Sequence, residues 1–321
     1  MTLHISEADV RAVFTMPLAI EAVENISRKQ ANGEVVVQPR RRFELPDGGF
    51  FHYMAAVDLA SGFVAMKQYT YVKGKLKFLV PLYATATGDL LALIEADYMG
   101  QLRTGAASGV ATRFLAREDA HTAAIIGTGD QAKTQLEAVA NVRKLDFVRV
   151  YGRDPQRRAA FAEEMSKRIG VNVEPAESSA AAARGADIIC TATTSAKPVL
   201  FGADVSPGTH INAIGANHKH KHELDVDLVA KAGFIAVDSI EQSREEAGDL
   251  VLGFQGDEAR WNTVAELDDV VARKLVTRAN AQQITLFKSN GIASWDLAAA
   301  EKVYALAKEK SLGRELPLWK S

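Results

Sequence analysis

Hydrophobic and polar positions follow one rhythm in the first hundred residues and another beyond them. Ser6 followed by Asp9 reads as a capping box that opens a short helix over Asp9–Phe14. A second helix is predicted over Pro17–Gln30, with proline in its first turn and Asn32-Gly33 as its stop. From Val35 to about Glu95 the runs become strand-like: Val35–Val37, Arg42–Leu45, Phe50–Met54, Phe63–Val72 and Phe78–Thr85. Pro46-Asp47-Gly48-Gly49, Lys73-Gly74-Lys75 and Thr87-Gly88-Asp89 separate them as hairpin turns, which predicts a mostly antiparallel sheet or barrel-like half. An Ala-rich helix follows over Tyr98–Ala116.

At Ala120 the pattern changes to strand and helix in alternation. Thr122–Ile126 and Phe147–Tyr151 read as short buried strands around a helix over Asp130–Ala140. Asp154-Pro155 caps the next helix, and Ala186–Thr191, Thr209–Ile214 and Phe234–Val237 supply further strands. Such alternation predicts a parallel sheet covered by helices on both faces. The last helix, Ser294–Lys308, lies beyond what that sheet needs and is expected to return to the first half.

Composition narrows the classes. At 321 residues the chain predicts two domains of roughly 150 residues each. Apolar residues at 47% and charged residues at 24% are the mix of a globular chain and exclude disordered and fibrous classes. Thirty-eight basic against 40 acidic side chains give a net charge of −2, with no basic excess for a nucleic-acid backbone. Cys190 is the only cysteine, which excludes an internal disulfide and any metal site needing two thiolates. No apolar run is long enough to span a bilayer, and the opening MTLHISEADV lacks the regions of a secretory signal. A cytoplasmic address is therefore expected, with no membrane or nucleic-acid partner and no metal.

The segment Ile126-Gly127-Thr128-Gly129-Asp130-Gln131-Ala132 carries the clearest chemistry. It fits G-x-G-x-x-A between a predicted strand and a predicted helix. Gly127 permits a tight turn, Gly129 lets a pyrophosphate approach the backbone, and Ala132 permits close packing of helix on strand. The helix start offers free N–H groups and partial positive charge to phosphates. The ribose is read at the end of the second strand, where an NAD site carries Asp or Glu. Here the sequence is Tyr151-Gly152-Arg153, and Asp154 before Pro155 is explained as a cap. A charge-assisted bond from Arg153 is worth about 1.5–3 kcal/mol, about one to two decades of preference for NADP(H) over NAD(H). Arg157 and Arg158 either assist or face solvent.

In the first half the candidate anion receptors are Arg41 after Gln38-Pro39, Lys67 within the apolar Phe63–Tyr69, and Arg103 opening a small-residue helix. An unpaired ammonium inside an apolar strand would be costly, so Lys67 calls for a partner. Taken in order, six segments resemble the ornithine cyclodeaminase/mu-crystallin family over nearly the whole chain. They are Gln38–Arg41, Met66-Lys67, Leu102–Ala106, Gly127–Ala132, Asn212–Asn217 and Phe287–Gly291. The resemblance implies a homodimer and an α/β fold: a Rossmann-type doubly wound parallel sheet over 117–295, plus a discontinuous α+β substrate and dimerisation domain over 1–116 and 296–321. It implies a cleft where a small amino or imino acid meets a nicotinamide. By position, Arg41 and Arg103 resemble the arginines that grip a substrate carboxylate. Lys67 resembles the lysine beside the reacting carbon and nitrogen. Lys67, Arg103 and Asn217 form the catalytic set implied. Thr104, Gly127, Thr128, Gly129, Asp130, Gln131, Gly152, Arg153, Ala192, Thr193, Ile214 and Gly291 match the cofactor side.

Two departures select among the activities of the family. Asn217 stands where the cyclodeaminases and the alanine dehydrogenase type carry an aspartate, and an amide cannot transfer a proton in the useful pH range. His52 stands where the cyclodeaminases carry a glutamate. Without both carboxylates, cyclisation of ornithine or lysine with ammonia release and recycled NAD is disfavoured. Reduction of a preformed 2-imino acid, or the reverse amino-acid dehydrogenation, asks less of the protein. A non-catalytic NADPH-dependent binding protein is the alternative outside enzyme chemistry. Asn217–Glu223 (NHKHKHE) reads as a solvated basic loop, with His218 as a possible proton donor and a metal site as the least favoured option. Cys190 reads as core packing.

Overall fold

A computed structural model of the chain describes residues 2–319. They fold as two compact units, one built from residues up to Thr104 together with those from Gly291 onward, the other from Gly105–Asn290.

The first unit opens with β1 (Thr2–Ile5), α1 (Glu7–Val13) and α2 (Met16–Ala31). The capping box forms as the sequence predicts: Ser6 accepts the Asp9 N–H, and the Asp9 carboxylate accepts the Ser6 N–H. Five strands follow, β2 (Val35–Glu44), β3 (Phe50–Asp58), β4 (Phe63–Val72), β5 (Lys75–Ala84) and β6 (Leu90–Glu95), then α3 (Asp97–Leu115), whose first turns belong to this unit. The runs Val35–Val37 and Arg42–Leu45, separate in the sequence reading, are one strand. Pro39 is tolerated because β2 is the sheet edge, and the register slips by one residue between Gln38 and Arg41.

In the second unit a parallel sheet alternates with helices. Its elements are β7 (Thr122–Ile126), α4 (Asp130–Val142), β8 (Phe147–Tyr151), α5 (Pro155–Ile169), β9 (Val173–Pro175), α6 (Ser179–Ala183), β10 (Ile188–Thr191) and β11 (His210–Ala213). They continue with α7 (Val226–Lys231), β12 (Phe234–Val237), α8 (Ile240–Glu246), α9 (Gly248–Gly253), β13 (Val264–Glu266), α10 (Leu267–Val271) and β14 (Thr285–Lys288). The chain then returns to the first unit with α11 (Ala293–Glu309) and β15 (Arg314–Leu316).

The first sheet has the order β15-β1-β6-β5-β4-β3-β2, antiparallel except where β1 lies parallel to β6. Alternation sets its two faces. Met54, Ala56, Ala65 and Lys67 point to one side, where α11 packs across β2–β5. Helix α11 is apolar around most of its surface, with Trp295 and Leu297 fully buried. The second sheet has the order β13-β12-β14-β11-β10-β7-β8-β9, all parallel. Leu136, Val139, Phe161 and Met165 cover one face against Ile125, Val148 and Ile188. Leu228, Leu250, Phe254 and Trp261 belong to the core on the other, with Ile189, Ile211 and Leu286. This is the α/β architecture that the alternating pattern predicts. Chain order reverses between β7 and β10, so the carboxyl ends of these two strands flank a topological switch point, where α/β sheets hold ligands.

The second stretch of α3 is tied into this unit by polar contacts. Arg278 donates to the Leu115 carbonyl at 3.0 Å, and Arg143 donates to those of Thr112 and Ala116 at 3.0 and 3.1 Å, satisfying the helix end. His210 on β11 is fully buried, and burial together with the Arg278 charge lowers its pKa to about 3, so it stays neutral. No helix among the described residues is long and apolar enough to cross a membrane. Ser6→Ala should lower the thermal midpoint of unfolding by about 2–4 °C, since an N-cap of this kind contributes about 1 kcal/mol. Circular dichroism of the two proteins checks it, and an unchanged midpoint would show the cap to be idle.

Candidate functional sites in the two units

At the end of β7 the chain turns through Gly127, whose φ of +128° suits only glycine. A Cβ there would lie 2.3 Å from the Ala192 carbonyl oxygen, so the turn and the loop after β10 are in direct contact. Helix α4 then starts on Gly129, which offers no side chain to accept from the first-turn N–H groups. Space beside Gly129 is open to a distance of 4 Å. A cavity of about 670 Å³ lies over this turn, lined by Thr128, Gly129, Gly152, Arg153, Arg157, Ala192 and Thr193 among others. Donors without acceptors, a helix start, open space and two arginines fit the phosphates of a dinucleotide.

The three arginines near the edge of this cavity are placed differently. Asp154 caps α5 by accepting the N–H groups of Gln156 and Arg157 at 2.9 and 3.1 Å, as its place before proline predicts. Arg153 and Arg157 are exposed and line the cavity. Arg158 is turned away: it donates to the Gly152 carbonyl at 2.9 Å and lies 5.6 Å from the Tyr151 ring centroid. Asp130 and Gln131 sit in the first turn of α4, and the Ile214 N–H donates to the Thr191 carbonyl at 2.9 Å.

In the first unit a second cluster is built on side-chain charge. Lys67 on β4 is only 4% exposed and Arg103 on α3 only 5%. Both donate to one oxygen of Asp296 on α11, Lys67 at 3.1 Å and Arg103 through Nε at 3.0 Å. Two cations thus share one carboxylate, which leaves a surplus positive charge in a buried place. Arg103 Nη1 has no acceptor among the described residues. Arg40 adds a third cation nearby, donating to the Gly291 carbonyl at 3.1 Å. Burial, and then the Arg103 charge, push the Lys67 ammonium down to about 8; Asp296 opposes them. Phe78 and Tyr69 flank it with ring centroids 5.2 and 6.0 Å away. His52 packs on the same wall, 2.6 Å from the Tyr69 hydroxyl.

The structure thus brings Lys67 and Arg103 together but not Arg41. Arg41 is exposed and pairs with Tyr53, whereas Lys67 pairs with Met54, so the two point to opposite faces of the sheet. The bulge in β2 turns the neighbouring Arg40 toward the cluster. Gly291 stands beside Arg103 in the first unit. Thr104 donates to the Gly100 carbonyl at 2.8 Å within α3. Asn217 lies exposed beyond β11. Asp296 was not anticipated; its signal was a lone carboxylate in the apolar run Ala293–Ala300. Glu223 was assigned to a solvated loop, yet it is fully buried.

The sequence profile of the ornithine cyclodeaminase/mu-crystallin family matches residues 2–311. A Delta(1)-pyrroline-2-carboxylate reductase of Bacillus cereus is 36% identical over 245 residues, 76% of this chain and 75% of that one. An alanine dehydrogenase of Archaeoglobus fulgidus is 33% identical over 329 residues, 99% of each chain. The solved structure of Thermococcus litoralis Delta(1)-pyrroline-2-carboxylate reductase in complex with NADH and L-proline superposes with a TM-score of 0.93 at 36% identity, covering 98% of this chain and 100% of that one.

Asp296→Asn should destabilise the protein by about 3–5 kcal/mol, because it leaves two buried cations without their counter-charge. Chemical denaturation measures this; a loss below about 1 kcal/mol would show that the cations were already satisfied elsewhere.

Proposed function

This chain belongs to the ornithine cyclodeaminase/mu-crystallin family and is an oxidoreductase, and we propose that it reduces a small cyclic 2-imino acid to the amino acid with NADPH. The observation that carries the reading is the buried surplus of positive charge around Lys67 and Arg103. A compact carboxylate is the anion that such a place accepts. The planar guanidinium of Arg103 keeps Nη1 for it while Nε stays on Asp296, and Arg40 supports the grip. The aromatic wall of Tyr69 and Phe78 suits a ring better than a charged side chain.

Reduction of C=N requires hydride at carbon and a proton at nitrogen. A reduced nicotinamide held by Gly127–Gln131, Gly152, Ala192 and Thr193 would supply the hydride. Lys67 supplies the proton: an ammonium with its pKa lowered to about 8 is still charged at neutral pH, yet releases its proton far more readily than an exposed lysine. Asp296 keeps that ammonium charged and fixes its direction. Asn217 is assigned to hydrogen-bond the substrate, a role that needs no titration. His52, on a tyrosine hydroxyl, offers no carboxylate for ammonia release, which disfavours the cyclodeaminase reading.

Preference for NADPH rests on Arg153 and Arg157 at the cavity edge, with Asp154 engaged as a cap. We assign a homodimer to the sheet face of the first unit opposite α11. There Tyr53, Val57, Val64 and Met66 are only half-buried, and Val36 and Phe43 at the edge strand are 48% and 58% exposed.

Stopped-flow NADPH oxidation with pyrroline-2-carboxylate and piperideine-2-carboxylate tests the activity, and no consumption with any cyclic imino acid would overturn it. Lys67→Met should lower kcat by about 10²–10⁴. For the wild type, kcat/KM for reduction should be level below pH 8 and fall about tenfold per unit above it, because only the ammonium donates. Amine oxidation should rise across the same range. Arg153→Ala should raise the KM for NADPH about tenfold and leave that for NADH within about twofold; equal effects on both would remove the assignment to NADP.

A further inference from the structure

The basic run after β11 ends in a residue that solvent does not reach. Glu223 accepts four hydrogen bonds in the core of the second unit. Oε1 takes the N–H and the hydroxyl of Thr193, both at 2.7 Å; Oε2 takes the Thr191 hydroxyl at 2.8 Å and the Gly215 N–H at 2.7 Å. Thr191 ends β10 and Gly215 lies just beyond β11, and these strands are parallel neighbours. One carboxylate therefore ties together the loops that leave two adjacent strands. Their approach is close: a Cβ on Gly215 would lie 2.3 Å from the Thr193 carbonyl oxygen and 2.6 Å from Glu223 Oε1.

Glu223 is itself held in place. Its N–H and that of Leu224 donate to Asp249 Oδ1 at 2.6 and 2.9 Å. Asp249 is ion-paired at 3.1 Å with Lys288, which ends β14 and also donates to the carbonyls of Ala213 and Ala216. Burial, and then the Asp249 charge, raise the Glu223 pKa, while Lys288 and the threonine donors lower it. A carboxylate buried in this way is costly unless all its acceptor sites are used, and here they are.

The loop so tied is the one that faces the glycine turn. Ala192, Thr193 and Ser195 line the dinucleotide cavity, and the Ala192 carbonyl abuts Gly127. Resting on the coenzyme reading of that cavity, we propose that Glu223 is a positioning residue for dinucleotide binding: it contacts no coenzyme, but fixes the β10 loop at the separation from the glycine turn that the coenzyme requires. A residue that only braced the core would affect unfolding and leave affinity in the folded protein unchanged.

Glu223→Gln retains the shape but sets an NH₂ against a backbone N–H that cannot accept, of Thr193 or of Gly215, so one of the two backbone ties is lost while the threonine hydroxyl can turn to accept. Titration of NADPH by its fluorescence should show Kd rising about tenfold or more, the equivalent of losing one charge-assisted bond, with KM for the imino acid changed less than about threefold. Thr191→Val removes a single donor from outside the cavity and should raise Kd about two- to fourfold. Glu223→Asp, which keeps the charge, should fall between Glu223→Gln and wild type. A folded Glu223→Gln protein that binds NADPH as the wild type does would overturn the proposal, whatever its melting temperature. If that variant does not fold, an unchanged Kd for Thr191→Val overturns it instead. A wild-type protein that binds neither NADPH nor NADH would overturn the coenzyme reading, and this inference with it.

Discussion

Two buried cations on different elements share one oxygen of a single carboxylate, and most of the chemistry assigned to the first unit follows from that shortfall of negative charge. Desolvation pushes Lys67 toward its neutral form, and the Arg103 guanidinium pushes the same way; Asp296 opposes both, and the ammonium is left poised near pH 8. Arrival of a substrate carboxylate adds a second negative charge to the cluster. By linkage that charge must raise the Lys67 pKa, so substrate binding itself favours the protonated donor. On the proposed chemistry the proton source would be charged by its own substrate, with no moving part needed.

The second unit works by different means. Apart from Arg153 and Arg157 at the edge, its cavity-facing features are backbone: a glycine turn, an uncapped helix start, and a strand-end loop tied from behind by Glu223, Asp249 and Lys288. Oriented N–H groups serve phosphates well because they carry partial charge without a desolvation cost of their own. The charges of Glu223, Asp249 and Lys288 are placed out of reach of solvent, where they tie loops together. Within this unit the buried charges lie behind the loop while Arg153 and Arg157 stand exposed at the cavity edge, which is why the buried acid of the basic loop reads as architecture.

That division also explains what the sequence could disclose. Backbone devices leave local signatures. Gly127 and Gly129 between an apolar strand and a helix identify the turn, and Asp154-Pro155 identifies a cap that the hydrogen bonds reproduce. The strands Thr122–Ile126, Phe147–Tyr151 and Phe234–Val237 were legible to the residue because they are apolar runs bounded by turns. Partnerships between distant residues leave none. β14 was overlooked because it is four residues ending in a lysine, and that lysine is buried only because Asp249 meets it. β1 and β15 pair with each other across nearly the whole chain length. Asp296 and Glu223 looked like ordinary acids because their partners lie far along the chain or are backbone groups. Arg41 is singled out by its place after Gln38-Pro39 and by the family resemblance, and the one-residue bulge that turns Arg40 to the other face has no mark in the sequence beyond Pro39.

The proposed choice of coenzyme turns on a similarly small feature. Asp154 lines the same cavity, and as an uncommitted side chain it would argue for NAD. Its carboxylate is engaged by two N–H groups of α5, an arrangement favoured by Pro155 at the next position, which has no N–H to offer and is preset for the helix. Arg153 and Arg157 face the cavity on either side of that cap, while Arg158 is withdrawn to the Gly152 carbonyl. Two arginines against one aspartate leave the edge a positive balance, from which a 2′-phosphate, on the proposed reading, would gain where a 2′-hydroxyl would not. Both bonds of the cap fall on Asp154 Oδ1, so the residue that starts α5 also stands between the two exposed arginines of the cavity edge.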